Sequence, residues 1–310
     1  MIGNNQNNSK KILLTGITGF LGSNLLDALL NEGYSVIGLK RITSNIWRIK
    51  EFLNDRRLKV INDDEIELNN LFISEKIDTL IHCAWGGVEA EDRNSFNIQL
   101  ENFYYSARLF NLAIKGGIKR IISFGSQAEY GKYEGRVDET SPCIPVDAYG
   151  TAKVFTKKLL QALAEPSNTK WFWIRIFSLF GPKQNDKWLL PLAINKMLNN
   201  LDIDLTKCEQ KYDYLYIKDF CRGIILLFNS ENSGVYNFSS NNSIQLKEIL
   251  LLIKNILKSN SNLNFGTLEY KMNQVMQMEG NSSKFYKETN ISIAPLRSGL
   301  IKTINYYKKK

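Results

Sequence analysis

A tyrosine and a lysine four residues apart form the pair whose chemistry is easiest to name. Tyr149 and Lys153 stand in YGTAK at the start of a predicted helix, where residues i and i+4 share one face. A phenol whose pKa is lowered by a neighbouring ammonium group can donate its proton, for example to the alkoxide formed when hydride adds to a ketone. The same spacing is common on helix surfaces. The pair therefore predicts acid–base chemistry only if the chain also holds a hydride donor.

Three glycines spaced three residues apart indicate where such a donor would bind. Gly16, Gly19 and Gly22 lie between the predicted strand KILLTG and the predicted helix FLGSNLLDALLNEG. The first glycine permits a tight turn, the second lets a pyrophosphate approach the backbone, and the third lets helix and strand pack closely. The amides at the helix start then favour phosphate. We expect dinucleotide binding; the alternative is a glycine-rich turn without a ligand.

Short apolar runs alternate with helix-like stretches over the first half of the chain. Runs such as SVIGLK, DTLIHCAW and RIISFGS are continuously apolar, as strands are when helices cover both faces of a sheet. This alternation predicts an α/β fold with a doubly wound parallel sheet. Beyond Pro182 the elements are short and mixed, and Ser243 is the predicted N-cap of a later helix.

The change of pattern also predicts the domain organisation. We expect residues 1–180 to form mainly a dinucleotide-binding domain, to which residues 212–235 return. Residues 181–211 and 236–310 are expected to form mainly a smaller C-terminal α/β substrate-binding domain.

The composition is that of a globular protein with a basic balance. The chain has 310 residues and a formal charge of +9, but its cations are interleaved with acids, which favours a solvated basic surface over nucleic-acid binding. Four scattered cysteines without a CxxC pair indicate neither a metal site nor a disulfide framework. The N-terminal MIGNNQNNSKK is too polar for a signal peptide or an anchor, and no later run is long enough to span a bilayer. We expect a cytoplasmic protein without nucleic-acid or membrane partners.

The end of the second predicted strand bears on the choice of cofactor. An NAD site usually has an acid there, which binds the adenosine ribose hydroxyls. This chain has Lys40 and Arg41 after SVIGL. Cations pair with a 2′-phosphate, so NADPH is expected, with NADH as the alternative. The competing interpretation is that both side chains point into solvent.

Ordered motifs along nearly the whole chain resemble the extended short-chain dehydrogenase/reductase family, which includes NAD-dependent epimerases and dehydratases. The motifs are TGITGFLG, DTLIHCA, YGTAK, RIFSLFGP, YDYLYIKD and VYNFSSNNSIQLKEI. The resemblance implies a Rossmann-type fold and catalysis by a serine, a tyrosine and a lysine. Ser126 matches the family's catalytic serine, whose hydroxyl bonds the substrate oxygen beside Tyr149 and Lys153.

The same resemblance implies which residues contact the cofactor. Asp63 lies near the family's adenine-binding acid, although the run Asp63-Asp64-Glu65 leaves the register open. Asn102 matches a family helix asparagine, with a buried structural amide as the alternative, and His82 matches a structural position on the cofactor side. The full predicted set is Gly16, Thr18, Gly19, Phe20, Leu21, Gly22, Lys40, Arg41, Asp63, Cys83, Ala84, Asn102, Tyr149, Lys153 and Phe177.

The residues after Ser126 narrow the reaction that the resemblance implies. Relatives that dehydrate sugar nucleotides have an Asp-Glu pair there, and relatives that epimerise at C3 and C5 use a cysteine two places after the serine; this chain has Gln127 and Ala128. We expect NADPH-dependent reduction of the 4-keto group of a nucleotide-activated 4-keto-6-deoxy sugar, in deoxysugar and surface-polysaccharide biosynthesis. The alternatives are an NAD-dependent C4 epimerase and, less favoured, an inactive dinucleotide-binding sensor.

The expected substrate contacts depart from the family pattern. Ser178 stands where asparagine is frequent, and Tyr212 where arginine is frequent, with Lys211 as a substitute point charge. Trp85, directly after IHCA, is a candidate for the sugar site, although a core tryptophan is the stronger alternative. The predicted substrate-binding set is Trp85, Ser126, Gln127, Ser178, Lys211 and Tyr212.

A partner is also implied by the resemblance. Relatives commonly dimerise through two helices, which correspond here to segments near 95–115 and 149–163. We therefore expect a homodimer that binds a small nucleotide sugar.

Overall fold

The chain divides into two units. The structure, a computed structural model, describes residues 10–63, 68–89, 91–133, 135–271 and 274–310. Unit 1 comprises residues up to Gly131 together with Pro142–Arg175 and Ile224–Tyr236. Unit 2 comprises Lys132–Ser141, Ile176–Gly223 and Asn237–Lys310.

Strands and helices alternate as the apolar pattern predicts. The strands are β1 (Lys11–Thr15), β2 (Ser35–Lys40), β3 (Leu58–Asn62), β4 (Thr79–His82), β5 (Arg120–Ser126), β6 (Gly135–Val137), β7 (Lys170–Ile176), β8 (Ser178–Phe180), β9 (Ile203–Leu205), β10 (Lys211–Tyr216), β11 (Gly234–Phe238), β12 (Ser243–Gln245), β13 (Leu263–Phe265) and β14 (Gln277–Gly280). The α-helices are α1 (Phe20–Asn31), α2 (Leu68–Ser74), α3 (Phe96–Lys115), α4 (Ala148–Ala164), α5 (Leu189–Leu198), α6 (Ile217–Leu226), α7 (Leu246–Leu257), α8 (Ser283–Thr289) and α9 (Leu296–Lys308).

Unit 1 is built on a seven-stranded sheet with the order β11-β7-β5-β4-β1-β2-β3. Strand β1 pairs in parallel with both β2 and β4, and the pairs β2–β3 and β4–β5 are parallel as well. The predicted α/β fold with a Rossmann-type, doubly wound parallel sheet is confirmed. The chain leaves β1 in one direction and returns to its other side at β4. The carboxyl ends of β1 and β4 therefore form the switch point at which such sheets bind ligands.

Adjacent strands bring apolar residues to one level inside unit 1. Leu13 of β1 is in register with Leu80 of β4, which is in register with Ile121 of β5. All three are buried in one cluster with Phe110 of α3 and Trp173 of β7. Burying such side chains stabilises the fold by about 1.5–3 kcal/mol each. The cluster therefore stabilises the pairing of β1, β4 and β5, whose carboxyl ends carry the site.

Unit 2 has its own sheets and core. Its larger sheet has the order β12-β10-β14-β6, with β8 also paired to β10, and β9 pairs with β13 in a second sheet. Phe238 stacks on Phe285 with ring centroids 3.8 Å apart, and Phe220 lies on Phe238 at 5.0 Å. Gly223 makes room for this stack, because a Cβ there would lie 2.5 Å from the Phe238 ring.

Two local predictions are wrong. The continuous apolar run WFWIRIFSLFG predicts a single strand, but it is divided into β7 and β8 at Phe177, because β8 pairs with β10 of unit 2. Ser243 is not a helix N-cap: it begins β12, its hydroxyl donates to Glu279 (2.8 Å), and Gln245 precedes α7.

The observed grouping of residues differs from the predicted boundaries at three segments and at Tyr236, which belongs to unit 1. Residues 176–180 belong to unit 2, because β8 pairs with β10. Residues 132–141 belong to unit 2, because β6 pairs with β14. Residues 212–223 belong to unit 2 as well, because β10 pairs with β8, β12 and β14. The functional roles that the sequence assigned to the two domains stay predictions.

Two further properties concern the chain at large. Cys83, Cys143, Cys208 and Cys221 are all within the described residues and form no disulfide bond with one another. Within the described ranges, the structure contains no helix with both the length and the apolar character needed to cross a bilayer.

Candidate active site

The glycine turn after β1 packs against the chain that leaves β4. Gly16 has a φ of +64°, and a Cβ on it would lie 2.7 Å from the Ala84 nitrogen. A Cβ on Gly22 would lie 2.2 Å from the Gly16 carbonyl oxygen. These positions therefore require glycine for close backbone approach, as the sequence predicts.

The start of α1 suits a phosphate group. Gly19 directly precedes the helix and has no side chain that could cap the first amides, and the first turn from Phe20 carries no acid. A Cβ at Gly19 would lie 3.2 Å from the Gly16 carbonyl oxygen, so the turn is tight at this position as well. Free amides at a helix start, beside a switch point, fit the pyrophosphate of a dinucleotide.

His82 lies at the centre of a directional hydrogen-bond chain. Ser106 Oγ donates to the Asn102 carbonyl (2.7 Å), so it accepts from His82 Nε2 (2.9 Å). Thr15 Oγ1 accepts from the Ala84 amide (3.1 Å) and donates to His82 Nδ1 (2.8 Å). Burial and the charge of Lys153 lower the pKa of His82 to about 3. The ring is thus a neutral Nε2–H tautomer that ties the ends of β1 and β4 to α3, in agreement with its predicted structural position.

Side chains of α3 clamp the loop that follows β4. Asn102 accepts from the Gly86 amide (2.8 Å) and donates to the Gly86 carbonyl (2.9 Å). Gln99 accepts from the indole nitrogen of Trp85 (3.1 Å) and donates to the Gly87 carbonyl (3.0 Å). In the structure Asn102 therefore fixes a loop, and its contact with a cofactor stays a prediction.

Ser126 ends β5 and caps the short turn that follows. Its Oγ accepts from the Ala128 amide (3.2 Å), and its amide donates to Glu129 Oε1 (2.9 Å). This reciprocal capping box fixes the backbone from which the hydroxyl projects.

Tyr149 lies in the first turn of α4 and is buried. Asp147 caps this helix by accepting from the Gly150 amide (2.7 Å), and the Arg93 guanidinium lies 4.9 Å from the Tyr149 ring centre. Burial raises the pKa of Tyr149, while a side-chain hydrogen bond with Ser126 and the charge of Arg93 oppose the rise. The expectation that Lys153 lowers this pKa is wrong for this structure, because desolvation is the largest effect.

Lys153 is buried one turn further along α4. Its Nζ donates to the Phe124 carbonyl (2.8 Å) and lies 3.4 Å from the ring centre of Trp85. Burial lowers the pKa of Lys153 to about 7, against the opposing charge of Glu129. The ammonium lies 5.7 Å from the Tyr149 ring centre, so tyrosine and lysine share one face of α4 as predicted.

Trp85 packs on this pair. Its ring meets Tyr149 edge to face, with centroids 6.3 Å apart, and covers the Lys153 ammonium. The side chain is only partly buried, so the alternative of a core tryptophan does not describe it. Its contact with a sugar stays a prediction.

A buried ion pair lies beneath the end of β5, and the sequence analysis missed it. Glu129 Oε2 accepts from Arg175 Nε (2.8 Å), and Oε1 also accepts from Trp173 Nε1 (2.9 Å). The side chains of Glu129 and Arg175 are 0% and 3% exposed. The glutamate in GSQAEYG, three residues after the capping Ser126, was the available signal.

Gln127 follows Ser126 and offers an acceptor. Among the described residues no hydrogen-bond partner reaches its Oε1, although the atom is buried. A buried carbonyl oxygen without a donor costs about 1–3 kcal/mol. This feature is compatible with the predicted contact of Gln127 with a substrate hydroxyl.

The cations after β2 differ in their surroundings. Lys40 Nζ donates to Asn62 Oδ1 (2.5 Å) and to the Arg41 carbonyl (3.3 Å), whereas Arg41 is exposed. Arg48, which the sequence analysis did not single out, donates to the carbonyl of Thr18 in the glycine turn (3.4 Å). The β2–β3 connection thus contributes two arginines to this side of unit 1, Arg41 directly after β2 and Arg48 at the glycine turn.

Asp63 lies just beyond β3. Its amide donates to the Lys40 carbonyl (2.9 Å), and its Oδ2 accepts from the Tyr105 hydroxyl of α3 (3.1 Å). Asp64 and Glu65, which left the register open, lie outside the described residues. An adenine contact by Asp63 stays a prediction.

Leu21 lies in α1 and Cys83 directly follows β4, both in unit 1, whereas four other predicted site residues lie in unit 2. Phe177 is buried between β7 and β8, Ser178 begins β8, and Lys211 begins β10 with an exposed side chain. The Tyr212 hydroxyl donates to the Val275 carbonyl (2.5 Å) and accepts from Gln274 (2.5 Å). Tyr212 therefore secures the segment before β14, and its role toward a nucleotide stays a prediction.

Comparisons with known proteins agree with this architecture. Residues 12–239 match the model of the NAD dependent epimerase/dehydratase family. CDP-abequose synthase of Salmonella muenchen is 29% identical over 283 residues, which cover 89% of this chain and 90% of the relative. The dTDP-6-deoxy-L-talose 4-dehydrogenase (NAD(+)) of Aggregatibacter actinomycetemcomitans is 25% identical over 245 residues, which cover 74% and 84%.

A solved structure shows the same fold. The UDP-N-acetylglucosamine 4-epimerase of Methanobrevibacter ruminantium, solved with UDP-N-acetylmuramic acid, superposes with a TM-score of 0.89 at 21% identity. The match covers 97% of this chain and 98% of the other. At this identity the likeness concerns the fold alone.

Proposed function

The chain belongs to the NAD dependent epimerase/dehydratase family, and from this premise we propose that it reduces the 4-keto group of a nucleotide-activated 4-keto-6-deoxy sugar with NADPH. Membership makes it an oxidoreductase-type enzyme with a nicotinamide dinucleotide as cofactor. One observation carries the proposal: Ser126, Tyr149 and Lys153 meet at the carboxyl end of β5, and Gln127 and Ala128 follow the serine.

The three residues have distinct roles in this proposal. When bound, NADPH would supply the hydride. Ser126 donates a hydrogen bond to the substrate oxygen as negative charge develops there. Tyr149, which keeps its proton because burial raises its pKa, protonates the same oxygen. The Lys153 ammonium stabilises the phenolate that remains.

The pair after Ser126 restricts the reaction. Gln127 and Ala128 have no carboxyl group with which to remove a proton or expel water. Arg93 and Trp85 add a cation and an aromatic face beside Tyr149 but no general base. These surroundings favour hydride transfer at one carbon over dehydration.

The names of two relatives are compatible with this substrate class. One is named as a synthase of CDP-abequose, and the other as a 4-dehydrogenase of a dTDP-linked 6-deoxy sugar. Both names concern nucleotide-linked sugars. We propose a role in deoxysugar and surface-polysaccharide biosynthesis on this basis.

The proposed preference for NADPH rests on Arg41 and Arg48. Guanidinium groups bind phosphate with two parallel hydrogen bonds, and the phosphate at the adenosine 2′ position distinguishes NADPH. Replacing Arg41 or Arg48 by alanine should raise the KM for NADPH at least about tenfold while leaving the KM for NADH nearly unchanged. Lys50→Ala, an exposed cation in the same connection, serves as the control. Equal KM values of the wild type for the two cofactors would refute the preference.

A second candidate function is supported by the family to which the chain belongs. The name of that family includes epimerases, and an NAD-dependent C4 epimerase would use the same serine, tyrosine and lysine. Such an enzyme retains its cofactor through oxidation and re-reduction. Purified protein carrying about one tightly bound NAD per chain, together with interconversion of C4 epimers of a UDP-sugar, would favour this function.

A panel assay tests the main proposal. Wild-type protein is incubated with NADPH and freshly prepared 4-keto-6-deoxy sugars linked to CDP, dTDP, GDP or UDP, and the loss of absorbance at 340 nm is followed. We expect turnover with one nucleotide series and a product hydroxyl at C4. NADPH that stays unoxidised with every substrate would overturn the proposal.

We also propose that the chain forms a homodimer through α3 and α4. Outward-facing Tyr104 of α3 and Phe155 of α4 are 63% and 56% exposed. The two helices pack against each other and leave these aromatic side chains on their outer sides. A second copy of the same surface would cover them in an isologous interface.

A further inference from the structure

The Glu129 carboxylate accepts hydrogen bonds from groups that surround the end of β5. Its Oε1 accepts from the Ser126 amide (2.9 Å) and from Trp173 Nε1 (2.9 Å), and its Oε2 accepts from Arg175 Nε (2.8 Å). The guanidinium of Arg175 in turn donates to the Tyr130 hydroxyl (2.8 Å). A charge buried this completely is stable only when it is paired and hydrogen-bonded, and here it is both.

The absence of a side chain at Gly125 makes room for the Glu129 carboxylate. A Cβ at Gly125 would lie 2.1 Å from Glu129 Oε1 and 2.2 Å from Trp173 Nε1. The missing side chain thus leaves the space that the carboxylate fills. The neighbours of Gly125 are Phe124, whose carbonyl binds Lys153 Nζ (2.8 Å), and Ser126. Glu129 therefore fixes the segment from Phe124 to Ser126. This segment provides both the carbonyl that binds Lys153 and the hydroxyl of Ser126.

The charged and titratable groups that face Lys153 come from several elements. Glu129, from the turn after β5, and Cys83, from the loop after β4, favour its charged form. His82, at the end of β4, stays neutral because its pKa is about 3. Tyr149, on the same helix, stays neutral because burial raises its pKa. Glu129 thus faces Lys153 as a buried carboxylate that already holds a salt bridge.

We propose that Glu129 is a positioning residue of this site: its carboxylate fixes the end of β5 that presents Ser126 and the Phe124 carbonyl, and its charge balances the buried Lys153 ammonium. The inference rests on the proposed function for the role of Lys153 in catalysis. The arrangement itself does not depend on which substrate is reduced.

Titration of the lysine side chain tests the charge balance without any substrate. The full-length protein is labelled with [13Cε]lysine, and the Lys153 signal is assigned by its loss in Lys153→Met. In the wild type we expect a midpoint near pH 7, where burial places the pKa of Lys153. Glu129→Gln keeps the shape but removes the charge, so its midpoint should fall by about one pH unit.

A matched control makes the same chemical change elsewhere. Glu165→Gln neutralises an exposed carboxylate just after α4 and should leave the midpoint unchanged. Because Glu129→Gln leaves Arg175 without its anion, the double variant Glu129→Gln/Arg175→Met is measured alongside. A midpoint that stays at the wild-type value in every folded Glu129 variant would overturn the inference.

Turnover provides an independent reading. If Lys153 acts as a cation, activity falls as the pH rises through its pKa, so the basic limb of the kcat/KM profile should move to lower pH in Glu129→Gln. Failure of the wild type to reduce any panel substrate would count against the proposed function alone. An unchanged lysine midpoint would count against the role of Glu129 alone.

Discussion

At the scale of single residues, burial determines the charge states of the site. Tyr149 and Lys153 are both shielded from water, so desolvation raises the pKa of the phenol and lowers that of the ammonium. Both shifts favour the neutral forms. The phenol therefore retains the proton that a developing alkoxide would take, and the carboxylate of Glu129 helps the lysine to stay charged.

Removing one hydroxyl tests the proton donor. Tyr149→Phe should lower turnover by about 10²–10⁴-fold, because the substrate oxygen loses its acid. The Kd for NADPH, measured by fluorescence titration, should change less than twofold, since the ring remains. Tyr104→Phe on the exposed face of α3 removes a hydroxyl away from Lys153 and should leave both values unchanged. Wild-type turnover in Tyr149→Phe would contradict the assigned role.

The single histidine gives an unambiguous spectroscopic probe. With a pKa of about 3 in the folded chain, His82 should show no titration between pH 5 and 8 in a 15N NMR experiment. Its 15N shifts should report the Nε2–H tautomer, because Ser106 accepts at Nε2 and Thr15 donates at Nδ1. A titration midpoint between pH 6 and 7 would contradict the burial and the hydrogen bonding of the His82 ring in this structure.

The same histidine also contributes to stability as a function of pH. Its pKa is lower in the folded chain than the ordinary value of 6.5, so the unfolded chain binds more protons between pH 3 and 6.5. The contribution of neutral His82 is therefore fully present above pH 6.5 and is lost as the pH falls through this window. In urea unfolding below pH 6, His82→Gln should lower the pH slope of the unfolding free energy by up to about 1.4 kcal/mol per pH unit. An identical slope in wild type and variant would contradict this.

At the scale of elements, the site depends on where strands end and helices begin. The β1–α1 turn, the loop after β4 and the end of β5 are held by contacts to one another and to α3. Gly16 touches Ala84, and His82 joins Thr15 to Ser106. The first connection leaves no room for a side chain at Gly16, and the second is a chain of buried side-chain hydrogen bonds.

A methyl group in the glycine turn tests this close approach. Gly22→Ala would place a Cβ 2.2 Å from the Gly16 carbonyl, so strand and helix must separate. We expect the Kd for the dinucleotide to rise at least about tenfold and the melting temperature to fall. At Gly33 a Cβ meets nothing within 4 Å, and φ is +83°, so Gly33→Ala should cost about 1 kcal/mol of stability but leave the Kd unchanged. Normal cofactor affinity in Gly22→Ala would refute the phosphate-binding role of the turn.

At the scale of the whole molecule, the proposed homodimer would form through the surface of unit 1. The exposed side of the α3–α4 pair carries aromatic residues. Other exposed large apolar residues, such as Leu268 of unit 2, do not belong to these two helices. In the proposed homodimer, the exposed aromatic residues of these two helices would form the apolar centre of the interface.

One charge on this surface tests the dimer. Phe155→Glu should convert a dimer into a monomer in sedimentation velocity at micromolar concentration, because two buried carboxylates would face a desolvated interface. Leu268→Glu, an exposed apolar residue of unit 2, should leave the assembly unchanged. A wild-type protein that sediments as a monomer would refute the proposed association.

The alternation of strands and helices in the first half of the chain and the common face of Tyr149 and Lys153 were readable from local sequence features. Continuous apolar runs predict buried parallel strands, glycine spacing predicts the β1–α1 turn, and the i, i+4 spacing of Tyr149 and Lys153 predicts their common face. Each of these depends on neighbours within a few residues. The strand break at Phe177 and the place of Ser243 could not be predicted, because pairing with distant strands determines both.

Only the tertiary structure decided the electrostatics of the site. Glu129 and Arg175 are 46 residues apart in sequence, and His82 and Thr15 are 67 apart. Whether such residues meet, and whether water reaches them, depends on how the sheet stacks its strands. The sequence by itself determined that this chain has a dinucleotide-type turn and a Tyr–Lys pair. The fold determined which groups are charged, because burial and a distant ion partner set a pKa while sequence spacing does not.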